Sequence, residues 1–167
     1  AIIGLHKQAH LRTDDFEKAY EVGIKTIIPH PEYDCEEYKN DIALLEVDKQ
    51  LILSTEQSCC LPTNTELGEQ DNQTVTVMGW GWDQEDVNIG NKPEVLQKAL
   101  IGIISNERCQ KSYLENNKRN IISDTQMCAG RLEGGIDACW SDSGGPLIDE
   151  NNTLVGIVST GIGCARP

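Results

Sequence analysis

The sequence has 167 residues, which is enough for one domain with a hydrophobic core. Its 27 acidic residues outnumber its 14 basic ones and give a formal net charge of −13, which argues against nucleic acid as a partner because phosphate binding needs a basic face. No apolar run is long enough to cross a bilayer, so no membrane association is expected, and the first residues lack the basic and apolar regions of a cleavable signal.

Short apolar runs rich in Val and Ile, separated by Gly, Asn, Asp and Pro, predict β-strands along the chain. In chain order these are Glu21–Ile28, Asp41–Val47, Thr74–Trp80, Leu96–Ile104, Gln126–Ala129, Pro146–Ile148 and Leu154–Thr160. One short helix is predicted over Asn106–Leu114 with Ser105 as its N-cap, and Asp83–Pro93 is predicted to be an exposed loop. The pattern favours a single all-β unit, a sandwich or a barrel.

Cysteine usage indicates the compartment. The seven cysteines are dispersed, form no C-x-x-C pair and have few histidines to complete a zinc site; they stand at positions 35, 59, 60, 109, 128, 139 and 164. Such a distribution favours disulfides and a secreted, extracellular protein. Because the count is odd, at least one thiol is free or has its partner outside this sequence.

The most informative motif is a serine set between an acid and two glycines, just before an apolar strand, in Asp142-Ser143-Gly144-Gly145-Pro146-Leu147. A serine hydroxyl becomes a good nucleophile when a neighbouring base takes its proton, and the glycines let a substrate carbonyl approach. Three further segments surround it: Asn40-Asp41-Ile42-Ala43-Leu44-Leu45, Asp137-Ala138-Cys139 and Ser159-Thr160-Gly161. Together these motifs resemble the trypsin/chymotrypsin family of serine peptidases.

The resemblance implies an all-β, two-barrel peptidase fold with one short helix. Residues 1–95 would form the remainder of the first barrel and the connection, and residues 96–167 most of the second. Ser143 would be the nucleophile, Asp41 would orient the general base, and the N–H groups of Ser141 and Ser143 would form the oxyanion hole. Asp142 matches the acid that receives the new N-terminal ammonium when a zymogen of this family is activated.

The resemblance also implies a substrate preference. Asp137 matches the base of the primary specificity pocket, where a carboxylate selects Arg or Lys at the cleaved bond by ion pairing. Trp140 stands at the pocket rim, and Ser159 and Gly161 belong to the strand that pairs with the substrate backbone. Three residues depart from the family pattern: Ser141 replaces a glycine, Trp140 a polar residue and Thr160 an aromatic residue. These departures keep open an alternative, a non-catalytic homologue that binds protein partners in an extracellular cascade.

The general base is missing from the expected place. In the family the catalytic histidine precedes the aspartate by about 45 residues, a position that falls before residue 1 here. The Ala-Ala-His-Cys motif is absent, and His6, His10 and His30 have no matching flanks, so none is expected to be the base. The resemblance therefore implies a fragment, incomplete at both ends and inactive alone, of a peptidase made as a zymogen.

The remaining expectations concern bridges, metals and partners. The resemblance pairs Cys109 with Cys128 and Cys139 with Cys164, gives Cys60 a partner in an absent segment, and leaves a Cys35–Cys59 bridge supported only by parity. Leu5 stands where calcium-binding members have a ligand, so no metal is expected, and no cofactor is implied. The expected partners are polypeptide substrates with Arg or Lys at the cleaved bond, and protein inhibitors. The protein itself is expected to be a monomer.

Overall fold

The computed structural model describes residues 1–10, 19–53, 58–63, 71–118 and 122–167. Its strands are β1 Ile2–Ile3, β2 Tyr20–Glu21, β3 Ile24–Pro29, β4 Ala43–Val47, β5 Thr74–Gly79, β6 Gln97–Ile104, β7 Cys128–Gly130, β8 Pro146–Ile148 and β9 Leu154–Ile157. The described helix, α1, spans Asn106–Glu115. The predicted all-β class is confirmed. Within these ranges no helix has the length and apolar character needed to cross a membrane.

The main sheet has five antiparallel strands in the order β7-β6-β5-β8-β9. Its core consists of apolar side chains at alternate positions of adjacent strands, which the two-residue period of a strand directs to one face. These are Val75, Val77, Ile101, Ile103, Leu147 and Val155. Full burial of each such side chain is worth about 1.5–3 kcal/mol, so this cluster anchors the half of the molecule that carries Ser143.

Helix α1 forms where the sequence predicts a helix, with Ser105 as its N-cap. The Ser105 hydroxyl accepts the N–H of Arg108 at 3.4 Å, which satisfies one of the free donors of the first turn. Cys109, buried in the helix, forms a disulfide with Cys128 at the start of β7. The covalent bond therefore fixes the helix to the edge strand.

The predicted strand over 21–28 is divided in the structure. The N–H of Val22 donates to the carbonyl of Ala1 at 2.8 Å, whereas the carbonyl of Gly23 accepts the N–H of Asp48 at 2.9 Å. A Cβ on Gly23 would lie only 2.2 Å from a carboxylate oxygen of Asp48, so this position needs glycine. The chain changes pairing partner here, from β1 to β4, and the two-residue strand β1 is too short to show a period in the sequence.

Strands β3 and β4 form a separate two-stranded ladder. Its apolar side chains are strongly exposed: Ile27 and Leu44 each retain 66% of their accessible surface. Polar contacts join the segment before β4 to the main sheet. The N–H of Asn40 donates to Thr125 Oγ1 at 3.2 Å, and Gln126 Nε2 donates to the Tyr38 carbonyl at 3.1 Å. These contacts position the residue that follows, Asp41.

A second disulfide joins Cys139 to Cys164, the pair that the resemblance implies. The three other cysteines, Cys35, Cys59 and Cys60, are free and exposed. The Cys35–Cys59 bridge suggested by parity is therefore wrong for this structure. The parity of the cysteine count gives no information on which thiols are close in space.

Candidate active site

Ser143 lies in a tight turn, the nucleophile turn (Cys139–Gly145), between the second disulfide and β8. The N–H of Asp142 donates to the Cys139 carbonyl at 3.0 Å, and the N–H of Gly145 donates to the Asp142 carbonyl at 2.8 Å. Gly145 tolerates no side chain because a Cβ there would lie 2.6 Å from the Met78 carbonyl oxygen. A rigid backbone thus supports the exposed side chain of Ser143.

The nucleophile turn lines a groove of about 380 Å³. Residues 141–146 contribute to this groove together with Gln8, Trp80 and Lys92. Its volume falls in the range of small-ligand clefts, so the nucleophile is accessible to a substrate. A smaller cavity of about 280 Å³, lined by residues of β6, α1 and β7, contains none of the predicted site residues.

Ser159 connects Asp41 to the nucleophile turn. The Ser159 hydroxyl donates to Asp41 Oδ2 at 2.6 Å. The residue before it, Val158, accepts the N–H of Gly144 at 2.8 Å and donates its own N–H to the Gly145 carbonyl at 2.9 Å. Asp41 is therefore linked to the nucleophile turn through residues 158 and 159.

The three histidines take no part in this arrangement. His30 Nδ1 accepts the N–H of Glu32 at 3.1 Å, and His6 and His10 lie in the N-terminal segment, where their backbone groups are hydrogen-bonded. Across the described ranges, no histidine forms a hydrogen bond to the Asp41 carboxylate or to the nucleophile.

Asp137 lies beside the second disulfide and is open to solvent. Its carboxylate accepts the N–H of Ala138 at 2.8 Å and the N–H of Ala165 at 3.2 Å. Despite this access, the protein atoms around it remove enough water to raise its pKa, and the two N–H donors oppose the rise only in part. The nearby Tyr113 phenol has a raised pKa because it is desolvated and lies near the Asp137 charge. A cationic group placed beside Asp137 would favour its ionised form.

The Asp142 carboxylate is bound by backbone amides. Its Oδ1 accepts the N–H of Gly81 at 2.7 Å, and its Oδ2 accepts the N–H of Cys139 at 2.9 Å. Asp142 thus ties the nucleophile turn to the chain that follows β5. The ion pair that the resemblance implies for Asp142 stays a prediction.

Ser141 has a φ of 75°, in the left-handed region that favours glycine. The resemblance implies a glycine at this position, and the serine adopts a positive φ that a glycine would adopt freely. Neither the N–H of Ser141 nor that of Ser143 donates to an acceptor in the portion of the chain that the structure describes. Both amides remain available to an oxygen atom of a ligand.

Trp140 faces the loop that follows β5. Its indole Nε1 donates to the Glu85 carbonyl at 2.9 Å, and its own carbonyl accepts the N–H of Trp82 at 2.9 Å. On the far side of Ser159, Thr160 and Gly161 are exposed. Trp140 therefore binds the loop that follows β5 by two hydrogen bonds, a role that the sequence does not indicate.

Several positioning residues have no signal in the sequence. Thr125 and Gln126 hold the segment before Asp41, and Gly81 binds the Asp142 carboxylate. Each is an ordinary polar or small residue, distant in the chain from its partner. Among the described residues, no group of three or more His, Cys, Asp or Glu side chains is arranged to hold a metal ion.

Comparison with known proteins gives one consistent result. A family model described as Trypsin matches residues 5–167. The chain is 39% identical over 145 residues to a trypsin of Simulium vittatum, covering 86% of this chain and 55% of the relative. It is 40% identical over 150 residues to trypsin eta of Drosophila melanogaster, covering 87% and 53%. It is also 37% identical over 151 residues to the serine proteinase stubble of the same species, covering 87% and 19%.

The chain thus spans about half the length of the two trypsins that it matches. The family model nevertheless covers nearly all of it, including both motifs that the structure brings together through Ser159. The chain belongs to the trypsin family of serine proteases.

Proposed function

We propose that this chain is part of a secreted serine endopeptidase that cleaves peptide bonds after Arg or Lys and is made as a zymogen. The observation that carries the proposal is the 2.6 Å hydrogen bond from Ser159 to Asp41 beside the nucleophile turn. It supports a catalytic unit in which Ser143 attacks the scissile carbonyl and Asp41 orients the base.

The unbonded N–H groups of Ser141 and Ser143 support an oxyanion hole at the same turn. Negative charge develops on the substrate oxygen in the transition state, and fixed donors stabilise it; loss of one such donor costs on the order of 100- to 1000-fold in rate. The positive φ of Ser141 keeps its N–H in the backbone conformation of a glycine at that position.

Asp137 supports the preference for a basic residue. Its carboxylate lies near the nucleophile turn in chain and in space, next to the disulfide, and its surroundings already penalise the free anion. A guanidinium or ammonium group placed against it would offset that penalty, because an ion pair gains most where water is scarce.

The proton acceptor would be a histidine supplied by sequence outside these 167 residues, since in the described ranges His6, His10 and His30 form no hydrogen bond to Asp41, Ser143 or Ser159. We therefore expect the 167-residue chain alone to hydrolyse no Arg ester. The two disulfides support an extracellular location. The partners of such a protease would be polypeptide substrates and protein inhibitors, and the protease would act as a monomer.

A second candidate is a non-catalytic homologue that binds protein partners. The observation that favours it is the side chain on Ser141, which carries the cost of a left-handed non-glycine residue at a position critical for the oxyanion hole. Such a protein would share the fold and the disulfides and would lack turnover.

A fluorophosphonate probe separates the two candidates when applied to a longer gene product that contains this sequence preceded by an Ala-Ala-His-Cys segment. We expect labelling of Ser143 and hydrolysis of an Arg ester, both lost in Ser143→Ala. The matched control is Ser112→Ala, an exposed helix serine outside the site, which should retain both. A folded product that is not labelled and does not hydrolyse the ester would refute the peptidase proposal and favour the homologue.

A further inference from the structure

The loop after β5 crosses over the second disulfide and contacts both of its sides. On the Cys139 side, the N–H of Trp82 donates to the Trp140 carbonyl, and the Trp140 indole donates to the Glu85 carbonyl, each at 2.9 Å. On the Cys164 side, the N–H of Cys164 donates to Glu85 Oε2 at 3.1 Å. A single residue of this loop, Glu85, therefore holds the two chain segments that the disulfide joins.

Glu85 also forms a two-point ion pair. Arg166 Nε donates to Glu85 Oε2 at 2.8 Å, and a terminal guanidinium nitrogen of Arg166 contacts the other carboxylate oxygen. This geometry fixes direction as well as distance, because the planar guanidinium meets the carboxylate with two parallel bonds. The hydrogen bond from Arg166, with a smaller effect of the Cys164 N–H, lowers the pKa of Glu85 to about 2, so the pair stays ionised at physiological pH.

The same short segment is held from its other side by Asp137. The N–H of Cys164 binds Glu85, and the next N–H, that of Ala165, binds Asp137 at 3.2 Å. The Ala165 carbonyl in turn accepts the N–H of Gly135 at 2.9 Å. Two carboxylates thus bind successive amides, and movement of the segment away from Glu85 would also move it relative to Asp137.

The close approach of Glu85 depends on Gly163. This residue has a φ of 71°, and a Cβ on it would lie 2.6 Å from Glu85 Oε2. Glycine adopts this conformation without strain, and a side chain here would displace the ends of the Glu85 and Arg166 side chains. The sequence predicts 83–93 merely as an exposed loop, and gives no sign that one of its acids reaches this segment.

We propose that Glu85 is a positioning residue of the specificity pocket: by holding the segment Gly163–Arg166 through Arg166 and the Cys164 amide, it sets where that segment lies relative to Asp137. The inference rests on the proposed function, because it assigns Glu85 to the pocket that would bind the substrate cation. It makes this loop a determinant of substrate affinity. Glu85 itself need not touch the substrate.

The first test is independent of catalysis. In the folded chain, the reduction rate of Cys139–Cys164 by dithiothreitol is compared with that of Cys109–Cys128, which serves as an internal reference in the same molecule. Glu85→Ala should raise this ratio roughly fivefold or more, the factor expected from losing one net hydrogen bond. Arg166→Ala should act in the same direction. Asp86→Ala is the matched control, because Asp86 is an exposed acid of the same loop whose carboxylate, in the described part of the chain, accepts hydrogen bonds only from Asn88.

The second test uses the longer, active product with an Arg-containing peptide substrate. Glu85→Ala should raise KM roughly tenfold with a much smaller change in kcat, since a displaced pocket weakens binding without moving Ser143 or Asp41. Asp86→Ala should leave both constants unchanged. A merely structural surface pair would leave KM unchanged even if the disulfide became easier to reduce, and that result would overturn the positioning role.

The two proposals fail differently. If the wild-type product does not hydrolyse the Arg peptide, the proposed function falls, and the reduction ratio still decides whether Glu85 holds the segment. If the wild type is active and Glu85→Ala matches Asp86→Ala in both the ratio and KM, the peptidase stands and the role of Glu85 is refuted.

Discussion

Replacing Asp142 with alanine tests whether this residue joins the nucleophile turn to the rest of the main sheet. The variant loses two hydrogen bonds from backbone amides to a carboxylate, from Gly81 at 2.7 Å and from Cys139 at 2.9 Å. Bonds to charged groups contribute about 1.5–3 kcal/mol each. Because Asp142 is half-buried and water can reach part of the vacated space, we expect a net loss of about 2–4 kcal/mol in the free energy of unfolding.

The measurement is equilibrium urea unfolding with both disulfides intact, followed by tryptophan fluorescence. With a urea m-value of about 2 kcal/mol/M, the midpoint should fall by roughly 1–2 M. Asp86→Ala is again the matched control. It also removes two hydrogen bonds to a carboxylate, but both are donated by Asn88 within an exposed loop. A loss below about 1 kcal/mol in Asp142→Ala, or one no larger than that of the control, would show that the two amide contacts do not hold the turn.

Three further variants test separate parts of the structure. Ile103→Ala, at a core position only 1% exposed, should cost about 2–5 kcal/mol in urea unfolding, and a loss under 1 kcal/mol would contradict the described packing. Burial raises the pKa of Asp137, so its carboxyl group favours the folded state below its unfolded pKa of about 3.8, and this contribution is lost as pH rises through the folded value. Asp137→Asn should therefore gain stability relative to wild type as pH rises above about 3.8, while the active product loses its preference for Arg; a relative loss of stability over that rise would refute the sign. Ser141→Gly keeps the positive φ, so stability should change by less than about 1 kcal/mol and turnover by less than about tenfold, and a hundredfold change in kcat would show that the serine side chain matters.

Strong local patterns were sufficient to predict much of the main sheet. The alternating apolar residues of β5 and β6 and the Ser105 cap of α1 agree with the structure to within one or two residues. The prediction was poorer where one continuous apolar segment pairs with two different strands. The chain switches partners at Val22 and Gly23, and no periodicity in one strand can show which neighbour each residue will meet.

The candidate site shows the same division. Ser143 and Asp41 stand out by motif. The hydrogen bond that links Asp41 to the nucleophile turn comes from Ser159, which lies 118 positions from Asp41 in the chain. Likewise, Glu85 and Arg166 are 81 positions apart, in segments with no shared pattern. Such pairs form because the sheet has already brought their segments together, so they follow from the assembled fold and are invisible in local sequence.

The junction between the β3–β4 ladder and the main sheet is made of polar contacts, from Asn40 to Thr125, from Gln126 to Tyr38, and from Ser159 to Asp41. Hydrogen bonds exposed to water contribute little net cohesion, whereas the apolar cluster around Ile103 contributes much. Mild denaturant should consequently separate the acid from the hydroxyl while the five-stranded sheet is still intact. The link between Asp41 and the nucleophile turn would then be lost well before the fold.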